Sequence, residues 1–147
     1  MTGIPTIFGF EGNNRFLSNF HPSPVRFEGI TYPTAEHAFQ AAKTLDKDQR
    51  IAVSEEPTPG RAKRAGRALT LREDWDDIRI TVMSKVVGRK FIQNHDLMNR
   101  LHATGDALLV EATTWHDQFW GVCVCTEHRG KGTNYLGTIL MGLRAGL

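Results

Sequence analysis

The sequence is poor in cysteine, with only Cys123 and Cys125 among 147 residues, and poor in net charge, with 18 basic against 16 acidic residues for a balance of +2. So few cysteines exclude a disulfide-built scaffold. On a strand the two would share a face, but a bridge across one intervening residue would be strained. Zinc sites repeat ligand pairs at fixed spacings. There is no second Cys pair, and His21, His37, His95, His102, His116 and His128 form no H-x₃₋₅-H pair. Two reduced, half-buried thiols are expected, and no metal or other cofactor is assigned. No apolar run approaches the ~18–20 residues of a membrane span. The opening Met1-Thr2-Gly3-Ile4-Pro5 has neither the basic nor the apolar region of a secretion signal. A soluble cytoplasmic protein with no membrane partner is expected. Low-complexity segments and repeats at roughly 20–50 residues are also missing.

What is present is ordinary globular composition, 40% hydrophobic and 9% aromatic, which excludes disorder, collagen-like repeats and coiled coil. At the usual ~100–200 residues per domain, residues 1–147 read as a single domain. Its length lets it bury about two thirds of its unfolded surface without a staple.

The first thirty-three residues read as short strands broken by turns. Thr6–Phe10 is β-prone, Glu11–Asn14 is turn chemistry, and Val25–Phe27 and Ile30–Tyr32 flank a Glu28-Gly29 turn. Helix is predicted from Thr34 to Leu45 with Thr34 as N-cap, then from Asp48 to Ser54, ended by Pro57 and Pro59, then from Gly60 to Ala68. The longest periodic segment runs from Glu73 to Asn94, with Trp75, Ile78, Val82, Val86 and Phe91 or Lys90 as its buried stripe. Glu73, Asp74, Asp76 and Asp77 load its first turns with acid, as the helix dipole favours. A helix from His95 to Ala103, strands at Ala107–Thr114 and Phe119–Cys125, and a last helix from Asn134 to Arg144 complete the chain. The class is α+β, mainly helical, with a small group of short strands.

Four places can carry chemistry. On the Thr34 helix, Glu36, Gln40 and Lys43 fall at about 0°, 40° and −20°. This carboxylate, amide and ammonium stripe can bind a hydroxyl-rich ligand, though it also suits a solvated face. In Trp115–Gly121, Trp120 can stack on a planar heterocycle while Asp117 works on a bond beside it. The plainer role is a turn-capping aspartate among core aromatics. Arg129-Gly130-Lys131-Gly132-Thr133-Asn134 runs into the last helix, where glycines and a helix N-terminus can cradle a phosphate, although the Walker spacing is absent. The same segment could be a flexible loop. Finally, Arg61, Lys63, Arg64, Arg67 and Arg72 occupy an acid-free stretch that wraps the helix cylinder rather than forming one nucleic-acid stripe. Carboxylates near aromatic platforms beside a phosphate cradle are what cleavage of a nucleotide-like N-glycosidic bond needs, because its transition state is oxocarbenium-like. No Gly-x-Ser-x-Gly suggests a serine triad.

These residues fall into blocks that resemble the YbiA-like, or NADAR, family of N-glycosidases. The blocks are Phe16-Leu17-Ser18-Asn19-Phe20, Tyr32 to Lys43, Asp74-Trp75, Leu109 to Thr113, Asp117 to Gly121 and Gly130 to Gly137, and they span about Ile7 to Arg144. The resemblance implies an α+β fold and hydrolysis of a C1′–N bond in phosphorylated ribosides. The substrate would be a reactive early intermediate of riboflavin synthesis, or ADP-ribose attached to guanine in nucleic acid. By position it implies Glu36 and Asp117 as catalytic and Lys43 as a Schiff-base amine or a phosphate or hydroxyl ligand. Trp75 and Trp120 fall in the pocket by the same matching. Asn19, Gln40, Gly130, Lys131, Gly132 and Asn134 are taken as substrate-binding. The chain departs from the family pattern after Trp120-Gly121, where Val122 opens a longer stretch, Cys123-Val124-Cys125-Thr126-Glu127-His128. The basic residues from Arg61 to Arg72 lean the substrate towards ADP-ribosyl-guanine. A non-catalytic ADP-ribose reader would use the same tryptophans and glycines without needing Glu36. A purely structural domain would leave the polar stripe and glycine loop unexplained.

Overall fold

The computed structural model describes residues 3–147. Met1 and Thr2, where the secretion-signal reading begins, lie outside the described residues. The fold is α+β and mainly helical, about 48% helix with few short strands. The chain divides into two compact units, Asn19–His95 and the residues up to Ser18 together with Asp96–Leu147.

The Asn19–His95 unit opens with an antiparallel hairpin, β2 (Val25–Phe27) and β3 (Ile30–Tyr32), in register Val25 to Tyr32 and Phe27 to Ile30 (β1 belongs to the other unit). Glu28 (φ 48°) and Gly29 (φ 87°) both adopt the left-handed conformation that two-residue hairpin turns of matching twist require. Three helices follow, each opened by a side-chain cap that satisfies an otherwise orphaned N–H. In α1 (Ala35–Ala41) Thr34 Oγ1 accepts from His37 N, in α2 (Lys47–Ser54) Asp46 Oδ1 accepts from Gln49 N, and in α3 (Pro59–Ala65) Thr58 Oγ1 accepts from Arg61 N, each at 3.1 Å. A single 3-10 turn, Gly66–Ala68, continues α3.

Two expectations are corrected here. Pro59 does not end the preceding helix but opens α3 at its first turn, where the missing N–H of proline costs nothing. The Thr34 helix stops at Ala41, so Lys43 sits in the turn beyond it, its N–H donating to Gln40 O at 3.1 Å. The long helix α4 runs Trp75–Gln93 and buries Trp75, Val82, Met83, Val86, Val87, Lys90 and Phe91. Central to the unit is α1, which touches α2, α3, α4 and both strands. All of its residues are buried, polar ones included.

In the other unit, β1 (Thr6–Phe8) pairs in parallel with β4 (Leu108–Val110), and β5 (Ala112–Thr113) with β6 (Val122–Cys123). Helix α5 spans His95–Ala103, and α6 (Tyr135–Arg144) packs on β4. Leu97, Leu101, Leu109, Leu136 and Leu140 are buried in this unit. The strand predicted over Phe119–Cys125 is limited to Val122–Cys123. Its earlier residues form a loop instead, because Asp117 Oδ1 draws in the N–H groups of Phe119 (3.0 Å) and Trp120 (2.9 Å).

Candidate active site

In the Asn19–His95 unit the predicted stripe is an interior feature, not a solvated face. Glu36 and Gln40 are buried, and Gln40 Nε2 donates to Glu36 Oε1 at 2.8 Å, one turn along α1. Only the amide nitrogen can donate to a carboxylate, so Gln40 Oε1 points the other way, where it is buried without a hydrogen-bond partner. It lies against Gly66, where a Cβ would run into the Gln40 side chain. Asn19 positions this group: its carbonyl accepts from Glu36 N at 3.1 Å, while its amide donates to Met83 Sδ at 3.3 Å. Neighbouring His37 is a satisfied core histidine, held between Thr34 Oγ1 (2.7 Å) and Glu56 O (2.9 Å).

Lys43, half-buried, completes this group electrostatically. Burial pushes its ammonium below the ordinary lysine value, Glu36 pulls it back up, and the nearby cations Lys63 and Arg67 lower it further. Two of the five basic residues from Arg61 to Arg72 therefore act on the site. Arg72 is paired with Asp74 at 2.7 Å, and Arg61 and Arg64 face solvent. Trp75 lies 5.2 Å from Phe39, ring to ring, with 7% of its surface exposed, which makes it a wall of the core beside α1.

The second predicted group belongs wholly to the other unit. Asp117 forms the aspartate turn described above. Trp120 packs edge-on against Phe119 at 4.7 Å and lies 6.3 Å from Tyr135. The Gly130–Asn134 segment is built differently from a phosphate cradle, because four of its five N–H groups are taken up by the protein. Gly130 N donates to Cys123 O (2.6 Å), Lys131 N to His128 O (3.0 Å), Thr133 N to Gln118 O (2.8 Å) and Asn134 N to Gly121 O (3.2 Å). The next two donors, Tyr135 N and Leu136 N at the start of α6, go to Phe119 O and Trp120 O. A Cβ at Gly132 would strike Gly121 O, one at Gly121 would strike Glu111 O, and one at Gly137 would strike Leu109 O. These glycines permit backbone to approach backbone. Asn134, in the left-handed conformation (φ 56°), accepts from Glu111 N at 3.0 Å and donates to Leu109 O at 2.9 Å, tying α6 to β4.

Sequence reasoning missed one cluster. His116, Cys123, Cys125 and His128 each bring a ligand atom within 4.8 Å of the others. Both cysteines are free, with Cys123 buried and Cys125 only partly so. The Cys123 thiol is lowered to about 6. Burial pushes it up, but bonds from the Cys125 backbone, the side chains of His128 and Cys125, and the His116 backbone overcome that. The sequence has neither a second Cys pair nor an H-x₃₋₅-H pair to mark this cluster. The structure instead gathers two histidines twelve positions apart around Cys-x-Cys.

A family model described as the NADAR domain matches residues 8–147. The N-glycosidase YbiA of Escherichia coli is 41% identical over 130 residues, covering 87% of this chain and 78% of that protein. A riboflavin biosynthesis protein of Vibrio vulnificus is 39% identical over 134 residues, 90% of this chain and 35% of that protein. The solution structure of Escherichia coli YbiA superposes with a TM-score of 0.79 at 36% identity, covering 97% of this chain and 83% of that one.

Proposed function

The chain belongs to the NADAR domain family, and from that premise we propose that it is an N-glycosidase, hydrolysing the C1′–N bond of a phosphorylated N-riboside. The observation that carries this reading is the buried Glu36–Gln40 pair beside a lysine of lowered pKa. Hydrolysis places a hydroxyl on C1′ and a proton on the departing nitrogen. A carboxylate already stripped of water stabilises the oxocarbenium-like sugar, because its charge is poorly screened there. Lys63 and Arg67, whose charges reach Lys43, suit a sugar phosphate.

Lys43 has two roles open to its chemistry. As a cation it binds phosphate or hydroxyls. As a neutral amine it attacks C1′ of a ring-opened ribose, the base leaves with a proton, and water hydrolyses the resulting imine. Asp117 as a second acid, and Trp120 and Lys131 as further substrate contacts, rest on the family match alone. Trp75, Asn19 and Asn134 act by position, through the packing and hydrogen bonds given above.

The substrate we favour is an early phosphorylated intermediate of riboflavin synthesis, since a relative matching 90% of the chain is named for riboflavin biosynthesis. A second reading, ADP-ribose on guanine in nucleic acid, draws on the exposed Arg61, Arg64 and Arg67, which would meet a phosphate backbone. Incubation with ribosylaminopyrimidine phosphates and, separately, with ADP-ribosylated DNA separates them by which base chromatography detects. Binding of ADP-ribose by calorimetry, with no base released from either substrate, would replace the enzyme by a reader module.

A further inference from the structure

Two thiols and two imidazoles gather in the segment from His116 to His128, their ligand atoms within 4.8 Å of one another. Cys125 Sγ lies 3.6 Å from His116 Nδ1 and 3.3 Å from His128 Nδ1, and the two Nδ1 atoms are 3.4 Å apart. For a tetrahedral zinc with its usual bond lengths, simple geometry puts two nitrogens about 3.35 Å apart and a nitrogen and a sulfur about 3.55 Å apart. The three separations among His116, Cys125 and His128 lie close to those edges, and Cys123 Sγ lies within 4.8 Å of the other three. We propose that His116, Cys123, Cys125 and His128 form a structural zinc site.

The backbone is shaped for it. Cys123 ends β6 and is buried, which fixes one ligand on a rigid element. From Cys125 the chain folds into a knuckle: Arg129 N donates to Cys125 O at 2.9 Å, and Cys123 and Lys131 bridge back at 3.0 Å. His128 N donates to Cys125 Sγ at 3.3 Å, the kind of bond that steadies a thiolate ligand. Glu127 Oε1 lies 4.0 Å from His128 Nε2, the ring nitrogen that the cluster does not use. Two non-glycine residues in the left-handed conformation, His116 (φ 69°) and Arg129 (φ 53°), set the loop's two ends.

The donor set selects the ion. Two thiolates with two imidazoles in a tetrahedron suit zinc, whereas magnesium and calcium want oxygen. On binding, each thiol loses its proton and each histidine gives a lone pair, so one Zn²⁺ and two thiols become a neutral site plus two released protons. Four protein ligands leave no open position, so the ion is a staple rather than a reactant. It closes the segment from His116 to His128, which also carries Asp117 and Trp120. The proposal does not depend on the N-glycosidase activity.

The test uses the full chain, free of any tag and purified from zinc-containing medium. Elemental analysis is expected to find one zinc per chain, and the two thiols should react with a thiol reagent only after chelation. Exchange with cobalt(II) chloride should give the intense visible bands of a tetrahedral ion and a near-ultraviolet thiolate band. Cys125→Ser and His128→Ala should each lose the metal. Should a variant fail to fold, His128→Cys decides instead: it keeps the ion and raises the thiolate band by about half, three thiolates replacing two. Substoichiometric zinc, a weak octahedral cobalt spectrum, a Cys123–Cys125 disulfide, or metal retained in Cys125→Ser would each overturn the site.

Discussion

Gln40 Nε2 donates to Oε1 of Glu36 at 2.8 Å inside α1, and both side chains are withdrawn from solvent. A buried carboxylate held by an amide one turn away keeps its geometry if its charge is removed by an isosteric change, because a Gln at this position still offers a carbonyl oxygen to Gln40. Glu36→Gln is therefore expected to fold normally and to lose about 10²–10⁴-fold in kcat, the usual weight of a positioned acid or base group. Thermal melts and initial rates of base release check both halves. A wild-type rate would remove Glu36 from the reaction.

Gly66 tests the positioning without touching the carboxylate. A Cβ there would meet the amide end of Gln40, a flexible group that can swing away. Gly66→Ala should break the buried Gln40–Glu36 bond at about 1–3 kcal/mol, and misplacement on the scale of an ångström can cost ~10²-fold in rate. A modestly lowered melting temperature with a fallen kcat/KM in the folded protein is the expected signature. Gln40→Ala in the Gly66→Ala background should add little further loss, since the two changes remove the same contact.

Much of this architecture was legible because it is local. Thr34 caps its helix, the Glu28-Gly29 turn joins its two strands and α5 runs His95–Ala103 as expected. Pro59 misled because proline both ends one helix and begins another, and only the Thr58 cap beside it decides. The glycines from Gly130 to Gly137 misled for a similar reason. A glycine that lets backbone approach an anion looks in sequence like one that lets backbone approach backbone, and at Gly132 and Gly137 it is the second. The stripe from Glu36 to Lys43 was found by spacing, but its burial depends on α2, α3 and α4 packing round α1, which no helical wheel contains. The His116, Cys123, Cys125 and His128 cluster was hidden because its ligands follow none of the familiar spacings.

Asp117 separates shape from charge. Its Oδ1 accepts the N–H groups of Phe119 and Trp120, so Asp117→Ala should loosen that turn, at roughly 0.5–2 kcal/mol by analogy with lost caps. Asp117→Asn keeps an oxygen acceptor and removes only the charge. If Asp117 serves as the second acid, Asn should preserve the melting temperature and still lower kcat by ~10²-fold. An Asn variant with full activity would leave Asp117 as a turn residue alone.

Lys43 gives the pH dependence a definite sign. Burial lowers its folded-state pKa below the ordinary 10.5, with Glu36 opposing and Lys63 and Arg67 assisting. Between the lowered value and 10.5 the unfolded chain binds more protons than the folded one, so this residue makes stability rise with pH across that window. Tyr32 works against it: burial raises its pKa from 10.0 to about 12, Arg50 lowers it and Glu28 raises it, so its contribution falls with pH above 10. The Lys43 effect is thus seen in the stability of wild type minus that of Lys43→Met, which should rise with pH towards 10.5 and then level off, as chemical denaturation at stepped pH would show. Activity distinguishes the amine's two roles. If a neutral amine attacks C1′, kcat/KM rises with pH to a plateau below the ordinary lysine range, borohydride traps a covalent ribosyl adduct on Lys43, and Lys43→Arg is inactive because arginine keeps its proton. If the ammonium only holds phosphate, Lys43→Arg retains most of the rate, no adduct forms, and kcat/KM falls instead of rising as Lys43 loses its proton.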